Sequence, residues 1–358
     1  MRHARIKPTG GSNSAFYHCI SRVVERRRHF GDIEKEKFVA LMREYEVFCD
    51  VRVLTYCIMS NHFHILVEIP ARPKVLPTAE ELIERLKALS GTSVTAKKAQ
   101  QQIDLFRSLG DAEGERVYLD SFFRRMWDVS EFMKLQKQTF SSWFNGLHDR
   151  KGTLWEERFK SVLVEGNRDA LATMAAYIDL NPLRAKIVKE LNDYRWCGYA
   201  AAMAGDARAQ AGIDGIARLL SGRPQSWDEG LATYRCHIFG RAMQSGGTDA
   251  AGQPLKPTVN RERALAVIAS GGAVPLEEFI QCRVKGLVDG LAMGSREFVA
   301  AVFERFRSHF GSRPRAGVHG LAGLASPPLF TLQKSSWGHF RSKGNTFAAN
   351  AFSLQNPH

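Results

Sequence analysis

Apolar positions recur along the first two hundred residues with two different periods, and the switches between them lay out a succession of strands and helices. Ala15 to Val24 mixes apolar and polar residues with little helical preference and predicts a first strand. Asp32 or Gly31 opens a helix running to about Cys49, with Phe38, Leu41, Met42, Tyr45 and Phe48 at three- and four-residue spacing. Val51 to Met59 is rich in β-formers, and Ser60-Asn61 connects it to a second apolar run, His62 to Ile69. Strands so close in sequence predict an antiparallel pair. Ser130 to Leu147 reads as a helix whose apolar side carries Phe132, Met133, Leu135, Phe140, Trp143, Phe144 and Leu147, with Ser130 as its cap. Arg158 to Glu165 predicts a strand that sends Phe159, Val162, Leu163 and Val164 into a core. A helix capped by Asn167 or Asp169 follows directly, and Pro182 ends or bends it by driving the preceding residue out of the helical region. The order fits an α+β fold, a ferredoxin-like βαββαβ antiparallel sheet with added helices.

Pro70 to about Asp128 interrupts this order. The insertion holds an amphipathic helix over Ala79 to Leu89, a Gly-Thr-Ser break and a Gln/Lys-rich stretch near 97–102. The chain therefore divides into a catalytic-type domain over 1–200 with an insertion at about 71–128, a linker-rich region over 201–260, a mainly α-helical module over 261–311, and a basic, flexible tail over 312–358. Gly205–Ala217 and Gly246–Pro257 carry the linker composition. Ser295 is an N-cap for the last helix of the module. Short helices bearing Arg296, Arg305 and Arg307 admit either a helix-turn-helix-like DNA reader or a plain packing unit.

Charge narrows the partners. The chain has 358 residues, 50 Lys and Arg against 37 Asp and Glu, a net charge of +13, and no acidic residue after Glu304. That excess favours a polyanion, because each neutralised phosphate releases counterions. A basic ribosomal or membrane-surface protein would share the bias. The six cysteines show no Cys-x-x-Cys pair and read as reduced thiols, and no window approaches a membrane span, so a soluble cytoplasmic protein is expected.

The chemistry concentrates at two places. In an extended strand residues i and i+2 share a face, so His62 and His64 project together while Phe63 turns to the opposite side. Such a pair can grip a divalent cation, or it can be two partly exposed histidines on a strand. Downstream, Tyr177 lies in the last turns of a helix with Asn181 four residues later, where a hydroxyl and an amide could meet that cation. On its own the same pattern describes a buried tyrosine with an Asn-Pro stop. Arg26-Arg27-Arg28 forms either a phosphate-facing or a solvated loop. Arg158, Lys160 and Arg184 flank the tyrosine segment and are candidates for nucleic-acid binding.

Three blocks in this order, Ser-Asn-His-Phe-His-Ile-Leu-Val-Glu at 60–68, Gly-Thr-Leu-Trp-Glu-Glu-Arg-Phe-Lys-Ser-Val-Leu-Val-Glu at 152–165 and Tyr-Ile-Asp-Leu-Asn-Pro-Leu-Arg-Ala at 177–185, resemble the REP-associated tyrosine transposases. These are single-tyrosine transposases with a His-hydrophobe-His motif, and the likeness covers about residues 12–200. The resemblance implies that His62 and His64 hold a metal, Mg²⁺ or Mn²⁺, that Tyr177 is the nucleophile, and that Asn181 supplies a third ligand. It implies a DNA transposase that nicks and rejoins single-stranded or hairpin DNA through a phosphotyrosine link, as a monomer or a homodimer. The alternative is a binder of structured DNA or RNA that keeps the fold without catalysis.

Overall fold

The protein is described from a computed structural model, which covers residues 6–7, 14–89, 93–239, 286–309, 317–321, 324 and 328–333. Strand β1 (Ala15–Arg22) is followed by helix α1 (Asp32–Phe48), then β2 (Arg52–Ile58) and β3 (His62–Ile69). Helix α2 (Ala79–Lys87) opens the insertion, with α3 (Ser93–Ser108) and α4 (Ala112–Phe123) behind it. Helix α5 (Val129–Leu147), strand β4 (Lys160–Val164) and helix α6 (Arg168–Asp179) complete the βαββαβ succession and its added helix. β3 pairs antiparallel with β2 and β1, and β1 pairs antiparallel with β4, so the strands lie in the order β2-β3-β1-β4. This is the expected α+β arrangement.

Directly paired residues of an antiparallel ladder share a face. On one face Tyr17, Cys19, Phe63, Ile65, Val67 and Leu163 join the core beneath α1 and α5. There Phe38 stacks obliquely on Phe63 at 4.7 Å, and Phe140 and Trp155 meet it edge-on or tilted. The other face carries Ile20, Leu66, Val162 and Val164 against α6. Phe63 and its two flanking histidines thus serve opposite layers.

Local chemistry starts the helices. Asn167 caps α6 by accepting from the Ala170 N–H at 2.9 Å. For α5 the cap is Asp128, which accepts from the Ser130 and Glu131 N–H groups, and not Ser130 as the sequence suggested. A carboxylate two residues earlier satisfies two of the free donors at once.

The region expected to be linker is helical. After α6 come the short helix α7 (Asn181–Arg184), α8 (Gly198–Met203), α9 (Ala207–Ser221) and α10 (Trp227–Phe239), with Ile213, Ile216, Tyr234 and Ile238 buried against the α6 layer. Gly246–Pro257 and most of the 261–311 module lie outside the described residues. Within that module, α11 (Gly286–Asp289) leads into strand β5 (Gly290–Gly294), which adds to β4 in parallel. Ser295 does cap α12 (Arg296–Arg305). The stretch expected to be a flexible tail contributes β6 (Val318–Gly320) and β7 (Phe330–Gln333), so among the described residues one sheet runs β2-β3-β1-β4-β5-β7-β6. α12 buries Val299, Val302 and Phe303 on this extension.

A buried carboxylate ties α6 to its neighbours. Asp179 accepts hydrogen bonds from the Thr55 hydroxyl of β2 and from the Tyr234 hydroxyl of α10, the latter at 2.6 Å. Burial pushes its carboxyl up to about 6, against those two hydrogen bonds, from an ordinary value of 3.8. The folded state then holds the proton more tightly than the unfolded chain. Its contribution is fully present below pH 3.8 and is lost as the pH rises through about 6. Relative to Asp179→Asn, which does not titrate, the wild type should lose roughly 3 kcal/mol between about pH 4 and about pH 7. Urea unfolding of both proteins across that range checks this. A constant gap between them would count against a buried, proton-holding Asp179.

Candidate active site

His62 and His64 stand at the β3 end that pairs with Arg22 and Ile20 of β1, on the face covered by α6. Their ring centroids are 5.1 Å apart at 80°. His64 is 3 % exposed, and its Nδ1 lies 2.8 Å from Nε2 of His18, whose Nδ1 is 2.9 Å from the backbone carbonyl of Leu287. The sequence reading missed His18. It lies on the same face, in register with Leu66, and stacks on His64 at 5.1 Å.

Hydrogen-bond polarity assigns the protons. A carbonyl only accepts, so His18 Nδ1 carries a hydrogen towards Leu287. Burial, reinforced by the charge of Arg184, lowers His18 to about 3 despite the opposing bond to Leu287, so the ring is neutral and its Nε2 is an acceptor. His64 must then donate from Nδ1, which leaves the lone pair on its Nε2. His64 is likewise held neutral, well below its ordinary value, by burial first and by His18, His62 and Arg184 after it. At His62 the same logic runs through Asn61. Its Nδ2 donates to the Arg26 carbonyl at 2.9 Å, so its Oδ1 accepts from His62 Nδ1 at 2.7 Å. His62 thus carries a hydrogen on Nδ1. An imidazole that donates from Nδ1 to a protein partner keeps Nε2 as the atom with which a histidine binds a metal.

Tyr177 on α6 closes the group. Its ring lies 6.0 Å from His64 and 6.2 Å from His18, edge-on to both, and it is 2 % exposed. The Arg184 guanidinium sits 3.8 Å from the centre of the tyrosine ring and donates to the Tyr177 carbonyl at 2.9 Å and to Asn181 Oδ1 at 2.7 Å.

Asn181 is engaged by the chain around it. Its Nδ2 donates to the carbonyls of Tyr177 and Ile178, both at 3.1 Å, and its Oδ1 accepts from Arg184. The amide thus satisfies the last carbonyls of α6, which a proline-broken helix leaves without partners. Among the described residues no three His, Cys, Asp or Glu side chains assemble as a metal cluster. Two imidazoles are a donor set that suits a divalent cation, and His62 and His64 are the residues that would hold it.

The exposed basic candidates form two groups at the His62 end of the β1–β3 pairing. Arg26, Arg27 and Arg28 form an exposed turn in which Arg27 pairs with Glu25 at 2.7 Å, and the Arg26 carbonyl holds Asn61 beside His62. Arg158 and Lys160 line a small notch with Arg22, the residue opposite His62, and with Ser21 and Asp289. Lys160 pairs with Glu157 at 3.0 Å. Arg184 is turned inward onto Tyr177. Trp155 belongs to the core, and the described cysteines are free thiols. No helix among the described residues is long and apolar enough to cross a membrane.

Comparison with known proteins reaches the segment that carries the histidines. No curated protein matches the sequence. A solved structure of a REP-associated tyrosine transposase bound to a REP hairpin is 12 % identical, with a TM-score of 0.35 over 57 % of this chain and 87 % of that chain. The family described as IS200-like transposase matches residues 12–108, a span that includes β1, α1, β2 and β3 and stops before Tyr177. Over residues 12–108, with His18, His62 and His64 among them, this chain is similar to the IS200-like transposases.

Proposed function

We propose that this protein is a metal-dependent, single-tyrosine DNA transposase that nicks and rejoins single-stranded DNA at hairpin-bearing sites. The observation that carries this reading is the gathering of Tyr177 with His62 and His64, each engaged by the protein through Nδ1, on one face of the sheet. A buried tyrosine with only a packing role has no need of that company.

In this reading His62 and His64 hold a Mg²⁺ or Mn²⁺ ion, which when bound would polarise the scissile phosphate. Tyr177 Oη forms a bond to phosphorus as one deoxyribose oxygen leaves, and the released hydroxyl or another strand end later attacks the phosphotyrosine to restore a diester. The phenol must lose its proton to act, since a protonated phenol is a weak nucleophile. Arg184, stacked on the tyrosine ring, supplies positive charge beside the attacked phosphate. Arg22, Arg158 and Lys160 in the notch and the Arg26–Arg28 turn would track the flanking backbone.

The test is incubation with hairpin-bearing single-stranded DNA and Mg²⁺ or Mn²⁺, read on a denaturing gel. Metal-dependent cleavage is expected. Binding without cleavage on any such substrate would replace the enzyme with a binder of structured nucleic acid. Binding itself should weaken by at least about tenfold between ~50 and ~200 mM salt, because several phosphate contacts release counterions together. An affinity indifferent to salt over that range would sink the phosphate-tracking assignment of these arginines and lysines.

A further inference from the structure

We propose that His18 is a positioning residue that fixes His64 in its Nδ1–H tautomer, anchored in turn on the backbone carbonyl of Leu287. The inference rests on the reading of His64 as a metal ligand and extends it to a residue and a chain segment outside that reading. Its basis is a linear relay with one polarity: the Leu287 carbonyl accepts from His18 Nδ1 at 2.9 Å, and His18 Nε2 accepts from His64 Nδ1 at 2.8 Å.

An unconstrained imidazole divides its proton between both nitrogens, and one of those forms carries a hydrogen on the atom that must coordinate. A partner that accepts only from Nδ1 removes that form and fixes the ring plane. His18 is fully buried, and its ring lies within 22° of the plane of His64 at a centroid distance of 5.1 Å, the arrangement of two imidazoles joined end to end by a hydrogen bond. The end of the relay is also firmly held. Leu287 and Val288 are buried in the same apolar layer as Tyr177, and β5 immediately after them is paired to β4 at Leu163–Ala292 and Val164–Met293.

The relay gives the C-terminal segment a part in the site. Leu287 lies far beyond the 12–108 span, yet its carbonyl is the one acceptor that sets the direction of both histidine bonds. Asp289, two residues on, stands 3.9 Å from Lys160 at the notch. The strands beyond residue 286 therefore do more than lengthen the sheet.

The test compares wild type with His18→Phe and His18→Gln in the full chain. Phe keeps the ring and removes the acceptor. Gln carries an amide oxygen at the distance of Nε2 and an N–H₂ that can still donate to Leu287. Two-bond ¹H–¹⁵N spectra of the metal-free proteins report the tautomer of His64, and electron paramagnetic resonance of free Mn²⁺ reports metal affinity without any turnover. The wild type and His18→Gln should show His64 protonated at Nδ1. His18→Phe should move the proton to Nε2 in a large share of molecules and weaken Mn²⁺ binding about 10- to 100-fold, the range for loss of an outer-shell partner. A wild-type His64 protonated at Nε2, or a tautomer unchanged in His18→Phe, overturns the relay. If His18→Phe does not fold, the wild-type and His18→Gln spectra decide the matter by themselves. A relay seen by resonance in a protein that binds no Mn²⁺ supports the tautomer assignment and removes the metal reading instead.

Discussion

Tyr177→Phe is expected to fold, bind hairpin DNA as the wild type does, and form no covalent DNA adduct. The wild-type adduct should survive SDS and boiling and disappear on protease digestion. The substitution keeps the ring that packs against His18, His64 and the Arg184 guanidinium, so its stability should change by less than about 1 kcal/mol. Cleavage should fall by at least about 10³-fold, as when a nucleophile is removed from a preformed site. Tyr194 and Tyr199 provide the contrast. Tyr194 donates to the Ile58 carbonyl at 2.7 Å and Tyr199 is buried in the same layer, so their Phe variants should keep cleaving. An adduct formed at undiminished yield by Tyr177→Phe would show that another residue attacks the phosphate.

The second large effect concerns the histidines, and the structure separates two variants that the sequence treats alike. His62 is half-buried, so His62→Ala should leave the fold intact while lowering Mn²⁺ affinity by at least about 100-fold and ending metal-dependent cleavage. His64 is buried and satisfies His18. His64→Ala should therefore lose metal binding equally and also cost about 2 kcal/mol, since it leaves the His18 acceptor without its donor. Calorimetric Mn²⁺ titration together with thermal unfolding of both variants checks the pair. Wild-type cleavage by His62→Ala would rule out the metal site; equal stability of the two variants would argue against the His18 bond.

What could be read from the chain follows the reach of each signal. Two-residue alternation needs only one strand, so the shared face of His62 and His64 and the opposite facing of Phe63 were legible. The Asn167 cap and the Pro182 break are likewise local. His18 was not legible, because a lone histidine in an apolar strand gains meaning only from the register that sets it beside Leu66, and register is a property of two strands. The bonds of Asn181 were not legible, because α6 ends at Asp179 and the amide beyond it meets the carbonyls of Tyr177 and Ile178, contacts that helical spacing does not foretell. The α9 segment looked like linker because Gly212 and Gly215 lower helix propensity. Gly212 is there for contact: a Cβ at that position would fall 2.2 Å from the Leu54 carbonyl oxygen, so only glycine lets α9 lie against β2. β5, five residues with a glycine at each end, carries no strand signal of its own and is recruited by the exposed edge of β4.

The bond between His18 and Leu287 spans 269 positions of the chain. At a synthesis rate of ~5–20 residues per second, the ribosome makes the acceptor about 15 to 55 s after the donor. Through that interval β1, β3 and even the tyrosine helix can assemble, while the inner ring of the histidine stack has no partner on its far side. A nascent chain therefore carries every side chain of the candidate site long before it carries a finished one.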